Sequence, residues 1–132
     1  MIPLDDQTAF DRMVQHCFDQ GFRSEAKDTC MYRMDNGARC AVGCLIPDEQ
    51  YREDFEGRSA AHVANEVPVL REVDWDLLES MQTAHDSRMP PLGARDPSPR
   101  RFLLEALKIA KDYHLSGSLP RRLLMSLDGG AA

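Results

Sequence analysis

The sequence predicts a mostly helical α+β fold, a small helical bundle carrying one β-hairpin at about residues 29–42. Three observations carry this prediction. Apolar residues recur at helical spacing in several separate segments, most regularly over residues 99–114. One segment instead centres on Asn36-Gly37 and is flanked by short runs rich in Cys, Tyr, Met and Val. Asn and Gly tolerate the positive φ angles of a type I′ turn, which makes the pair a strong hairpin signal. The chain has 132 residues, 42% of them hydrophobic and 29% charged, enough for one buried core without metals or disulfides. We assign residues 1–128 to a single globular domain and 129–132 to a flexible tail, since Gly129-Gly130-Ala131-Ala132 offers nothing to bury.

The elements follow in chain order. Asp5 or Asp6 can cap a first helix that stops near Gly21, with Phe10, Met13, Val14, Cys17 and Phe18 on one stripe. Residues 22–29 are a polar linker. The hairpin then pairs residues 29–34 with 38–42, opposing Arg33 with Cys40 and Cys30 with Gly43. Residues 47–55 read as a short helical turn, with Pro47 at its first position, acids behind it and Gly57 past its end. Ser59 can cap a helix over 60–66, and Asp74 one over 75–87 that places Trp75, Leu78, Met81 and Ala84 or His85 on one face. Met89-Pro90-Pro91-Leu92-Gly93 marks a loop. Ser98-Pro99 opens the most regular helix, with Phe102, Leu103, Ala106, Leu107, Ala110 and Tyr113 inward. Ser116-Gly117-Ser118 breaks it, and a short helix over 119–127 closes the fold. The expected core comprises Phe10, Val14, Phe18, Leu45, Trp75, Leu78, Phe102, Leu107 and Ala110.

Charge is uneven. Residues 1–94 carry 9 basic and 18 acidic side chains, whereas residues 95–132 carry 7 basic and 4 acidic ones. Within 46–86 there are 11 acids against 3 arginines. Nonspecific affinity for nucleic acid comes from Lys and Arg neutralising phosphates, so direct nucleic-acid binding is not expected. Opposite fields steer association, so a partner with a basic surface is. No apolar run approaches the roughly 20 residues of a membrane span. The acidic start Met1-Ile2-Pro3-Leu4-Asp5-Asp6 has no apolar targeting core, so we expect a cytoplasmic protein that contacts no membrane. Its four cysteines are then expected as reduced thiols.

Few chemistries fit the residues. Cys30, Cys40 and Cys44 follow a C-x9-C-x3-C spacing, without the two-residue knuckle of structural zinc sites; neither metal nor cofactor is expected. Cys40 or Cys44 with His85 is the one candidate for nucleophilic catalysis. Asp86 adjoins His85 in a predicted helix, so the two side chains diverge by about 100° and Asp86 is poorly set to orient the ring. The carboxylates Asp48, Glu49, Glu53, Asp54 and Glu56 lack calcium-loop spacing and are instead a candidate partner-binding surface. Phosphate-cradling loops and hydrolase elbows are missing from the sequence.

The string Cys30-x-Tyr32-Arg33, then Asn36-Gly37-x-Arg39-Cys40-Ala41-Val42-Gly43-Cys44-Leu45-Ile46-Pro47-Asp48-Glu49-x-Tyr51 and Glu56-Gly57, resembles a group of small uncharacterised proteins encoded by bacteriophages and prophages. Met81-Gln82-x-Ala84-His85-Asp86 and His114-Leu115-Ser116 extend the likeness, which spans about residues 30–116. That group has no assigned activity, so the resemblance supplies no catalytic or binding residue. It implies a phage or mobile-element setting in a host bacterial cytoplasm. The expected function is a non-enzymatic accessory protein that binds and inhibits a host defence or nucleic-acid-handling complex. It would act in the manner of an anti-CRISPR protein, its acids imitating phosphate charge before a basic groove. The alternatives are a cysteine- or metal-dependent enzyme centred on Cys40, Cys44 and His85, and a structural oligomer such as a homodimer.

Overall fold

Asp5 opens the first helix by accepting the Thr8 N–H at 2.7 Å on its side chain. In the computed structural model, which describes residues 2–26 and 29–129, this helix is α1 (Asp6–Gln20). It ends where the Gly21 N–H returns to the Cys17 carbonyl. Four more helices follow: α2 (Ala60–Glu66), α3 (Trp75–Arg88), α4 (Arg100–Asp112) and α5 (Ser118–Leu127). Ser59 caps α2 through the His62 N–H, and Asp74 caps α3 through the Asp76 N–H. At α4 the capping residue is Pro99, and the Ser98 hydroxyl accepts the Arg100 N–H at 3.2 Å.

The fold is the expected helical α+β type, with one short antiparallel pair of strands among the described residues. α3 is the hub, packing against α1, α2 and α4, while α5 covers α1 and α4. Phe10, Met13 and Val14 of α1, Leu77, Leu78 and Met81 of α3, and Phe102, Leu103, Ala106 and Ile109 of α4 meet in one buried cluster. At about 25 cal/mol per Å² such burial is the main favourable contribution to folding. Of the expected core, Phe10, Val14, Leu45, Leu78, Phe102 and Ala110 are buried, while Phe18 and Leu107 pack partly buried at its edge. Trp75 is not in the core: it is 54% exposed. As the first residue of α3 it stands at the edge of the helix face that Leu78 and Met81 turn inward.

The strand pair sits earlier than the turn signal. β1 (Glu25–Ala26) pairs with β2 (Thr29–Cys30), Glu25 opposite Cys30 and Ala26 opposite Thr29. The Asn36-Gly37 turn exists but closes a single antiparallel bridge, Arg33 with Arg39. Cys40 is therefore not the partner of Arg33. Its geometry differs from type I′. The Met34 carbonyl accepts the Gly37 N–H at 3.0 Å, the Met34 N–H reaches the Ala38 carbonyl at 2.9 Å, and of the turn residues only Gly37 has positive φ, at +91°. This is a three-residue loop with Gly in the left-handed position. The extra residue shifts the register by one, so residues 38–42 do not continue a ladder. The chain instead coils through 3₁₀ turns at Gly43–Leu45, Asp48–Gln50 and Glu53–Phe55. The helical turn expected over 47–55 is thereby split, because Tyr51 and Arg52 are extended. Residues 130–132, most of the expected flexible tail, lie outside the described residues.

Gly43 lies against the Tyr32 backbone so closely that an added Cβ would stand 2.1 Å from the Tyr32 carbonyl oxygen. Backbone on both sides leaves no flexible side chain to yield. Gly43→Ala is expected to destabilise the fold by about 2 kcal/mol or more. Thermal unfolding followed by circular dichroism checks this, and an unchanged midpoint would refute the close approach.

Candidate functional site

The acidic segment divides once its bonds are followed. Glu56 ends the 3₁₀ turn Glu53–Phe55, and its carboxylate turns inward. It accepts the Tyr32 N–H at 2.8 Å, the Arg33 N–H at 3.1 Å and the Tyr51 hydroxyl. Tyr32 in turn donates its hydroxyl to the Arg58 carbonyl at 2.6 Å. Arg33 lies over the Tyr51 ring at 4.4 Å and reaches the Ile46 carbonyl and Asp48, both at 2.9 Å. Asp48 also faces Arg39 at 3.5 Å. Arg52 stacks on Phe55 and spans Asp54 at 3.1 Å and Glu66 at 3.6 Å. Asp48 and Asp54 are thus exposed but partly neutralised, and Glu56 is spent on the fold. Glu49 and Glu53 are exposed and take part in none of the ion pairs among the described residues.

The same region is larger than the sequence run. The Val69 N–H donates to the Gln50 side chain at 3.3 Å, the Leu4 N–H to the Val69 carbonyl at 2.9 Å, and the Asp74 N–H to Asp6 at 2.8 Å. These bonds sew residues 2–6, 48–54 and 66–76 side by side. Asp5, Asp48, Glu49, Glu53, Asp54, Glu66, Glu72, Asp74 and Asp76 are all exposed on them, against Arg52 and Arg71. The result is an acidic belt rather than a short run.

The cysteine and histidine candidates lie elsewhere, around the buried face of α3. The Ser24 N–H donates to His85 Nε2 at 3.1 Å, so Nε2 carries the lone pair and Nδ1–H points to Asp86 Oδ1 at 2.8 Å. Asp86 does orient the ring, against expectation: pinning Nε2 swings Nδ1 toward the neighbouring carboxylate. Gln82 Nε2 donates to both Asp86 and the Cys30 sulfur at 2.9 Å, while its Oε1 accepts the Val42 N–H at 3.1 Å. The Cys40 thiol neighbours that of Cys30, and its sulfur accepts the Gly43 N–H at 3.3 Å. Cys30, Tyr32, Gln82 and Asp86 border a hollow of about 240 Å³.

Chemically this cluster is closed. The neighbouring Cys40 thiol, then burial, pushes the Cys30 thiol well above its ordinary range. Burial pushes Cys44 up to about 12, and its sulfur donates to the Ala41 carbonyl at 3.0 Å. Cys17 is raised by burial too. At neutral pH these thiols stay protonated, and the thiolate is the nucleophile. His85 has both nitrogens committed, and among the described residues it bonds neither Cys40 nor Cys44. The structure therefore does not bring Cys40, Cys44 and His85 together as a reacting set. Among the described residues no group of three His, Cys, Asp or Glu side chains is placed to hold a metal ion.

Sequence reasoning missed Gln82, the Cys30–Cys40 contact and the exposure of Trp75. One signal was present for Gln82: it shares the apolar stripe of Leu78 and Met81, and a polar residue on such a stripe needs a buried partner. No protein-family profile matches the chain, and no curated protein or solved structure shows significant similarity to it.

Two measurements test this division. Glu56→Ala strands two backbone N–H groups, one on a residue only 3% exposed, and should destabilise by about 2 kcal/mol or more. Glu49→Ala should stay within about 0.5 kcal/mol. Equal midpoints for the two variants in urea would refute the inward role of Glu56. Separately, a thiol-reactive disulfide reagent at pH 8 should react slowly with the native protein and quickly with all four cysteines in guanidinium. A fast native thiol would overturn the closed assignment.

Proposed function

We propose that the protein is a binding factor whose acidic belt docks on a basic surface of a partner protein. The observation that carries this reading is the belt itself. Glu49 and Glu53 stand exposed and in none of the ion pairs among the described residues, in a surface drawn from three chain segments. Exposed charges left unpaired contribute little to folding, but they set encounter rates and reject wrong partners. Among the described residues no helix is long and apolar enough to cross a membrane; the thiol cluster is occupied with internal bonds, which favours association over covalent chemistry. The resemblance of residues 30–116 to phage and prophage proteins supplies the setting: the host bacterial cytoplasm, with a defence or nucleic-acid-handling complex as the target. In that setting the belt imitates a phosphate backbone and occupies the groove that nucleic acid would use, in the manner of an anti-CRISPR inhibitor.

Salt separates this reading from an apolar one. Exposed charges are screened over roughly 10 Å at 0.1 M. Binding to a complex captured from host lysate should weaken on the order of tenfold between 0.05 and 0.3 M salt, as expected for a charge-steered contact. Paired Glu49→Lys and Glu53→Lys substitutions should slow association on the order of tenfold while leaving the melting midpoint unchanged. Salt-independent capture, with the reversed variant binding normally, would discard the acidic belt as the working surface.

A further inference from the structure

The chain carries a net charge of −6, yet one hollow gathers arginines. It encloses about 350 Å³ against the loop that joins α3 to α4. Arg23, Arg88, Arg100 and Arg101 line it, against the single carboxylate of Asp96. Three separate segments supply them: the linker after α1, the last turn of α3 and the first turn of α4. Arg23 is already held in place. Its backbone N–H donates to the Pro90 carbonyl at 2.9 Å and its Nη1 to the Asp86 carbonyl at 2.7 Å. Its buried Nε has no hydrogen-bond partner among the described residues. Arg101 is exposed and takes part in none of the ion pairs among the described residues. Arg23 approaches Glu25 at 3.5 Å, Arg88 approaches Glu105 at 3.8 Å and Arg100 holds Asp128 at 2.6 Å, but these three acids do not line the hollow. Asp96 accepts the Ser98 N–H at 3.2 Å. The Ser98 hydroxyl accepts the Arg100 N–H, which leaves its own O–H to donate.

We propose that this hollow binds the phosphate groups of a small phosphorylated molecule. The proposal is independent of the acidic belt, which lies on other segments of the chain. Charge complementarity carries it, since four guanidinium groups face one carboxylate that is engaged in its own loop. A guanidinium offers its N–H groups as a planar fork that matches phosphate oxygens two at a time. Exposed ion pairs are weak, so Arg88 and Arg100 can turn from Glu105 and Asp128 to a bound dianion without disturbing the core. The volume lies within the range of small-ligand sites, and Met89 and Pro90, both buried, wall it. The acids just outside argue for a short ligand. Glu25, Glu105 and Asp128 would repel the further phosphates of an extended strand.

Pyrophosphate is the probe, titrated by calorimetry into the full chain at about 0.1 M salt. The expected result is saturable binding, with sulfate at equal ionic strength on the order of tenfold weaker because it brings one anionic group in place of two. Arg101→Ala should weaken pyrophosphate binding on the order of tenfold with an unchanged melting midpoint. Arg101→Lys should lose less, because the charge stays and only the fork is removed. Arg95 is exposed and outside the hollow, so Arg95→Ala should bind as the native chain does. Equal losses in Arg95→Ala and Arg101→Ala would show a diffuse field in place of a seat and overturn the proposal. Sulfate binding as tightly as pyrophosphate would overturn it too, as would the absence of saturable binding. A nucleoside diphosphate forms the second arm. Tighter binding than pyrophosphate assigns the site to a nucleotide, and equal or weaker binding assigns it to a phosphorylated molecule without a base. A short single-stranded oligonucleotide that binds more tightly than either would give the arginines to nucleic acid and overturn the small-molecule assignment. Should Arg101→Ala fail to fold, the comparison of pyrophosphate with sulfate on the native chain decides.

Discussion

The constraint on which this fold depends is the accounting of backbone polar groups between residues 31 and 58. That stretch runs through the interior with no helix longer than a 3₁₀ turn and no ladder beyond one bridge. Buried N–H and C=O groups left without partners would each cost about 1–3 kcal/mol. Side chains, some from the stretch itself and some from the neighbouring helices, supply the partners. Glu56 takes the N–H groups of Tyr32 and Arg33, Gln82 that of Val42, and Gln20 that of Arg39. His16 and Gln20 donate to the Arg39 carbonyl, Arg33 to that of Ile46, and Ser24 to that of Met31. The irregular middle is thus tied to α1 and α3 by single residues, so those helices and the coil stabilise one another.

The chemically suggestive residues belong to the same accounting. His85 looks like a base beside cysteines, but its two nitrogens hold Ser24 and Asp86. Gln82 then joins Asp86, Cys30 and Val42 into one chain of bonds. In a low-dielectric interior a fully satisfied network rigidifies its surroundings, whereas a half-satisfied one is costly. Opening it for catalysis would release the coil it supports. The reactive residue types are spent on specifying the core, and what remains free for a partner is on the surface.

The legible parts of the sequence were those with local causes. Asp5, Ser59 and Asp74 cap the helices they precede, because a capping side chain acts within three residues. The stripe of α4 was legible for the same reason, although Ile109 was missed and Leu107 is only partly buried. The middle was legible only as a turn at Gly37. Its satisfaction by Gln82, 40 residues from Val42, and by Glu56, 23 residues from Arg33, leaves no periodic trace. The acidic surface was half legible: the run at 48–56 was visible, but its union with residues 66–76 depends on Gln50 meeting Val69 and Asp6 meeting Asp74. Glu56 and Trp75 were misplaced in opposite senses. Composition put the acid outside and the indole inside, while the bonds of the coil need the former and the edge of α3 exposes the latter.

These two exchanges bear on how the surface can work. An acid taken inward removes charge from the belt, yet it fixes Tyr51 and Arg33, and Arg33 in turn steadies Asp48 at 2.9 Å. Arg52 does the same for Asp54 and Glu66. Several belt carboxylates are therefore held by arginines that stack on rings, and less side-chain freedom remains to be lost on binding. Glu49 and Glu53 stand exposed between these fixed points, in none of the ion pairs among the described residues. The chain beyond residue 94 carries the opposite net sign, with Arg121 and Arg122 exposed on α5. A molecule polarised in this way turns its acidic side toward a basic surface before contact. Attraction of this kind acts at long range and bears on which face a basic surface would meet first.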